Sequence, residues 1–328
     1  MNLIDKYILY IRNVRRYSSR TVALYEGVLN DFASAVCEGD MTDELLVQSL
    51  TPSLMRSYMV SLIDERKLSP KTIGLYMSAM SSFCDFLIKE NILESNPAKL
   101  VSRPKISKRI PEFYKNTQME EYFASTDYFA SREDLEAFKS APFTKTGRSA
   151  YEKRLSRLII SILYSLGVRR SELIGMTVGN VDFGRKVVNI CGKGDKMREI
   201  PLIDALSEEI LLYLEAVEAL CGRKRSLKEP LLVTYRVRPL YPVYVDRAVK
   251  SELGSVRGLA GRLSPHVLRH SIATELLNEG SDLNSIKEML GHSSLATTQI
   301  YTHSSIAQLK NIYEQAHPRA KNGGKHGD

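Results

Sequence analysis

The residues of this chain best suited to chemistry cluster unevenly. All six histidines lie beyond residue 265, and His266, His270, His292 and His303 fall within 38 residues. In the run HVLRH, residues 266–270, two histidines at i and i+4 share a helix face, a spacing that can hold a metal. The zinc-protease pattern HExxH needs glutamate where Val267 stands, and no third ligand is close in sequence. The same run sets His266 and Arg269 three residues apart. A planar, permanently charged guanidinium and a group that titrates near neutrality can there face one phosphate together. A surface helix with a few polar residues is the plain alternative.

Three further segments carry reactive types. In Gly167-Val168-Arg169-Arg170-Ser171-Glu172, a glycine ends one apolar helix and Ser171-Glu172 starts the next, so tandem arginines sit at a tight corner. In Gly192-Lys193-Gly194-Asp195, glycines flank a lysine at what reads as a hairpin turn; a solvated turn lysine is the alternative. In Leu290-Gly291-His292-Ser293-Ser294, the histidine is followed nine residues later by Tyr301, one of 17 tyrosines.

The elements that must position these residues divide the chain. Residues 1–100 read as a bundle of four or five helices with no strand. Leu3, Tyr7, Ile8 and Ile11 recur at helical spacing, and Ser18-Ser19, Thr51-Pro52 and Ser69-Pro70 open further helices. Asn96-Pro97 ends the bundle. Residues 101–114 form a basic linker, beginning VSRPKISKRIP, read either as a solvated connection or as a strap against a phosphate backbone. Residues 115–328 are mixed. Helices are expected over Arg154–Leu166, Ser171–Met176, Leu206–Leu220, Tyr244–Leu253, His266–Asn278, Asp282–Leu290 and Ile306–Ala316. A strand pair is expected over Val187–Ile190 and Arg198–Leu202, with Gly291 as a C-cap and KNGGKHGD as a frayed tail. The fold class is mainly α with a small β-sheet.

Composition narrows the function classes. A length of 328 residues favours two domains. Apolar residues at 43% and charged residues at 26% exclude a disordered or fibrous chain. No stretch reaches the roughly 20 consecutive apolar residues of a membrane span, and the N-terminus does not read as a secretory signal. Cys37, Cys84, Cys191 and Cys221 show no CxxC spacing, which argues against zinc ribbons and for a reducing, cytoplasmic setting. The net charge of +8 fits a polyanionic partner.

Taken together, GVRRSELIGMTVGNVDF, GKGDKMREIPL, HVLRHSIATELLNEG and LGHSSLATTQIYTH, with SPKTIGLYMSAMSSFCDFLIKENILESNPA in the helical half, resemble the tyrosine recombinase (phage integrase) family. The Xer-like and transposon-integrase branch is the most similar, and the resemblance covers nearly the whole chain. It implies a SAM-like core-binding domain followed by an α+β catalytic domain. The activity implied is site-specific recombination of double-stranded DNA at short inverted-repeat sites, with no metal or other cofactor and no membrane. The assembly implied is a homo-tetramer, or a hetero-tetramer with a related recombinase. The catalytic set is then Arg169, Lys193, His266, Arg269, His292 and Tyr301, with Arg169 preferred over Arg170. Tyr301 would be the nucleophile, His266 the base and Lys193 the acid; Glu172 would orient an arginine and His270 would support the site. The stripe Ile306, Leu309, Ile312, Tyr313 and Ala316 would dock on a neighbouring protomer or pack on its own domain. With core-binding helices starting within the first residues, no separate arm-binding domain is expected. A catalytically idle DNA-binding regulator, a type IB topoisomerase-like enzyme and a metallonuclease are the rival readings.

Overall fold

The computed structural model describes residues 1–36, 42–104, 113–192, 196–256, 259 and 261–291. The chain divides into two compact units, Met1–Arg109 and Ile110–Asp328. Among the described residues no helix is long and apolar enough to cross a membrane.

In the first unit, helices α1 (Leu3–Leu9), α2 (Ser19–Val36), α3 (Asp43–Ser49), α4 (Pro52–Asp64) and α5 (Pro70–Lys89) follow one another, and α1 runs on through a π-helical turn to Val14. Their starts are set locally. Thr42, Thr51 and Ser69 each accept the backbone N–H three residues on, at 3.2 Å, and Pro52 and Pro70 occupy first-turn positions where no N–H partner is lost. The apolar faces meet around Tyr7, Phe32, Ile73, Phe83 and Leu87, all fully buried, with the Tyr7 and Phe83 rings packed edge to face at 5.3 Å. Asn96 closes the bundle, its amide donating to Ser81 O at 2.9 Å and to Asp85 at 2.8 Å.

The second unit is built around α8 (Lys145–Leu166), whose residues Leu158, Ile159, Ile160, Ile162 and Leu163 are wholly buried. From Leu158 to Leu166 every residue is buried, and a segment closed to water on all sides belongs at the centre of a domain. Before it lie α6 (Asn116–Ser125) and α7 (Arg132–Ser140); after it come α9 (Arg170–Gly175), a three-stranded sheet, α10 (Asp204–Cys221), α11 (Pro242–Leu253), α12 (Pro265–Asn278) and α13 (Leu283–Leu290). Helices α10, α11 and α12 pack on α8. The sheet is antiparallel in the order β1 (Val181–Asp182), β2 (Val187–Cys191), β3 (Met197–Pro201), with Val188 opposite Ile200 and Ile190 opposite Arg198. The expected strand pair thus gains a two-residue third strand. The helix expected from Arg154 begins instead at Lys145, where Thr144 caps it by accepting the Gly147 N–H at 3.0 Å. Helices α6 and α7 were not expected from the periodicity; Ser131 caps α7 through the Asp134 N–H at 3.1 Å. The helix expected over Ile306–Ala316 and the tail lie outside the described residues.

Two arginines of α8 are buried with acidic partners. Arg154 meets Asp134 at 2.5 Å, and Arg157 meets Glu209 at 2.9 Å, both side chains of the second pair being 1% exposed. Ser161 Oγ also donates to Glu209, at 2.9 Å, fastening α8 to α10. Removing one charge of such a pair strands the other in a medium that cannot solvate it. Glu209→Gln is therefore expected to lower the unfolding free energy by about 3–5 kcal/mol in urea denaturation. A loss below about 1 kcal/mol, the range of exposed pairs, would refute the reading.

Candidate active site

Helix α8 ends at Gly167, whose φ of +57° is the left-handed conformation that suits glycine. Arg169 follows as the N-cap residue of α9, and Glu172 lies on that helix's first turn. The Glu172 carboxylate turns back to accept the Arg169 backbone N–H at 2.8 Å and Arg169 Nη1 at 2.7 Å. The arginine is thereby fixed at both ends. Its other terminal nitrogen, Nη2, donates to Gly291 O at 2.8 Å, while the side chain stays 39% exposed. The neighbouring Arg170 is turned elsewhere, paired with Asp246 on α11. The sequence preference for Arg169 thus coincides with a difference in partners.

Arg269 arrives from α12. Its side chain lies among buried residues at 5% exposure, with Nη1 donating to Gly167 O at 2.6 Å and Nη2 to Leu290 O. His266 stands one turn earlier, exposed near the start of α12 and on the side of the helix that i,i+3 spacing shares with Arg269. His270 is half-buried, and its carbonyl accepts Thr274 Oγ1. Among the described residues no group of three or more histidine, cysteine, aspartate or glutamate side chains is arranged to hold a metal ion. Lys193, His292 and Tyr301 lie outside the described residues.

The structure adds a residue that the sequence reading passed over. Arg198 on β3 is 8% exposed, and its Nη1 and Nη2 donate to the two oxygens of Glu172 at 3.2 and 2.7 Å. Its Nε donates to Met289 O at 2.8 Å. In sequence it looked like one more strand residue. The available signal was alternation: Arg198 is in phase with the fully buried Ile200, so it points inward and needs an anion there.

Three successive carbonyls, of Met289, Leu290 and Gly291, therefore accept from three arginines of different elements: Arg198, Arg269 and Arg169. These carbonyls end α13 and have no partner within it, and the helix dipole makes that end attractive to cations. Electrostatics follow from the packing. Burial pushes the Glu172 carboxyl up, but hydrogen bonds and charge from Arg198 and Arg169 outweigh it and hold the group below the ordinary carboxylate value. Burial, then the charge of Arg169, lower Arg269 to about 10, which leaves it a cation at neutral pH.

Comparison with known proteins agrees with this arrangement of modules. The phage integrase family is matched over residues 140–308, and the phage integrase N-terminal SAM-like domain over residues 4–91. Tyrosine recombinase XerC of Chlorobaculum parvum is 33% identical, the alignment covering 97% of this chain and 94% of that protein. Tyrosine recombinase XerD of Staphylococcus aureus is 31% identical, covering 97% and 99%. Among solved structures, the Tn1549 transposon integrase in complex with transposon right end DNA has a TM-score of 0.63 at 18% identity, covering 98% of each chain. The lambda integrase tetramer bound to a Holliday junction has a TM-score of 0.59 at 17% identity, covering 95% of this chain and 77% of that one. With relatives of such identity aligned along almost its full length, the chain belongs to the phage integrase family and is a tyrosine site-specific recombinase.

Proposed function

We propose that Tyr301 is the nucleophile and that the recombinase exchanges strands between two short inverted-repeat DNA sites held by four protomers. The phenolic oxygen attacks the scissile phosphorus, the bond to the 5′-oxygen breaks, and a 3′-phosphotyrosyl link remains. The link conserves the phosphodiester bond energy, so rejoining needs no ATP. A phenol of ordinary pKa, ~10, must lose its proton at neutral pH. His266 takes that proton and returns it on religation; Lys193 gives a proton to the leaving 5′-oxygen; His292 donates a hydrogen bond to the phosphate. Arg169 and Arg269 bind the non-bridging oxygens, whose charge grows in the transition state.

The observation that carries this reading is the convergence of Arg169 and Arg269 on adjacent carbonyls, Gly291 O and Leu290 O, at the end of one helix. Two guanidiniums from separate elements, one of them substantially exposed, are thus anchored on neighbouring backbone groups, which supports their acting on one phosphate. The tetramer is supported by the lambda integrase structure, a tetramer bound to a Holliday junction, and the recombinase activity by the XerC and XerD relatives. The docking of residues 306–316 on a neighbouring protomer, and a boundary between DNA-gripping modules within residues 101–114, belong to the same reading.

Covalent trapping tests it. Wild type and Tyr301→Phe are incubated with fragmented host DNA in EDTA, quenched in detergent, and the DNA left on protein is sequenced. Adducts at 3′ ends are expected with wild type alone; adducts that persist with Tyr301→Phe would move the nucleophile elsewhere. A second expectation concerns acid. Glu172 has a folded-state pKa below its unfolded value, so its stabilisation is complete above the ordinary value, about 4.3, and is lost as pH falls through the lower folded value. The stability advantage of wild type over Glu172→Gln, read from urea midpoints, is therefore expected to be full at pH 7 and to shrink only below the ordinary carboxylate range. An advantage that disappears already between pH 7 and 5 would contradict this.

A further inference from the structure

Glu172 holds Arg169 in place, but a lone carboxylate would also cancel the charge that a phosphate-binding arginine must offer. The site contains a second cation on the same carboxylate. Arg198 forks onto both Glu172 oxygens at 3.2 and 2.7 Å, so the two guanidiniums share one negative charge. Arg169, Arg198, Arg269 and Glu172 together carry +2; without Arg198 they carry +1. The fork is wedged rather than loosely held. Its Nε is tied to Met289 O at 2.8 Å, and its guanidinium lies against Gly291, where a Cβ would come within 3.1 Å of Nη1. Gly291 is also the residue whose carbonyl accepts from Arg169.

We propose that Arg198 is a positioning residue of the recombination reaction: it offsets the charge of Glu172, leaving Arg169 effectively cationic toward the scissile phosphate, and it fixes the last turn of α13 on which Arg169 and Arg269 are oriented. The inference rests on the reading of Arg169 as a phosphate ligand. It differs from a merely structural role in one measurable respect. A residue that only supports the fold affects all substrates alike, whereas a residue that sets the charge felt by the phosphate matters less when the phosphate carries less charge.

The experiment is single-turnover cleavage of a nicked site recovered by trapping, with the scissile group either a phosphate or a methylphosphonate, in which a methyl replaces one charged oxygen. Arg169→Ala serves as the reference and is expected to lose cleavage of the phosphate, with a much smaller loss on the methylphosphonate. Arg198→Met is expected to lose about 10- to 100-fold on the phosphate, the scale of a misplaced catalytic group, and clearly less on the methylphosphonate, with DNA affinity nearly unchanged. Arg198→Lys, which keeps the cation, is expected to recover most of the rate. Arg198→Met combined with Glu172→Gln removes both charges and is expected to exceed Arg198→Met alone, since no carboxylate is left to cancel Arg169. If Arg198→Met does not fold, Arg198→Gln, which removes the same charge but keeps an amide donor beside Glu172 and Met289 O, carries the same comparison. Equal losses on the two substrates, or a double variant slower than Arg198→Met, would overturn the inference while leaving Arg169 in its role. An Arg169→Ala variant indifferent to the methylphosphonate would overturn the reading of Arg169 and this inference with it.

Discussion

The end of α13 is where the second unit concentrates its unsatisfied polarity. A helix leaves its final carbonyls without internal partners, and here three of them in succession are answered by Arg198, Arg269 and Arg169. Each arginine comes from a different element: β3, α12 and the corner before α9. One backbone terminus therefore fixes three elements relative to one another, and the order of the site follows from it. Gly167 completes the arrangement. Its carbonyl accepts from Arg269, and a Cβ there would come within 2.7 Å of Leu290 Cδ2, so the α8 end and the α13 end approach as closely as they do because the corner carries no side chain.

Buried charge serves two ends in this unit, and the carboxylates tell them apart. At Asp134, burial outweighs the attraction of Arg154, and the carboxyl is pushed up. At Glu172, burial loses to two guanidiniums and a backbone N–H, and the carboxyl is held low. The difference lies in the number of donors that reach the oxygens. Glu172 accepts four hydrogen bonds from Arg169 and Arg198, whereas Asp134 is met by Arg154 Nη2 at 2.5 Å. The first arrangement keeps a charge available in a partly exposed site; the second holds helices together deep in the core.

What could be read from the sequence was what depends on near neighbours. Thr51-Pro52 and Ser69-Pro70 announce helix starts because a cap needs only the N–H three residues ahead, and Gly291 was legible as a C-cap for the same reason. Arg169 and Arg269 stood out because each sits in a distinctive local run, and Glu172 because it follows its arginine by three residues. The β2–β3 pairing followed from the glycines between them. Strand alternation could place Arg198 inward but not name its partners, which are distant: Glu172 lies 26 residues earlier and Met289 lies 91 later. Helices α6 and α7 were missed for a related reason. Both are short, at ten and nine residues, and α7 owes its place to packing on α8 and α10, which are distant in sequence or follow it.

Helix α13 has only eight residues, fewer than the ~12–15 at which an isolated helix becomes even marginally stable in water. Its persistence comes from its surroundings: Ile286, Met289 and Leu290 are buried, Asp282 caps its start, and arginine side chains close its end. Since β3, α12 and the α9 corner each supply one of those arginines, a change in any of them acts on the same helix end. Exchange of the α13 amide protons with solvent is accordingly expected to report on the arginine cluster as well as on the helix itself.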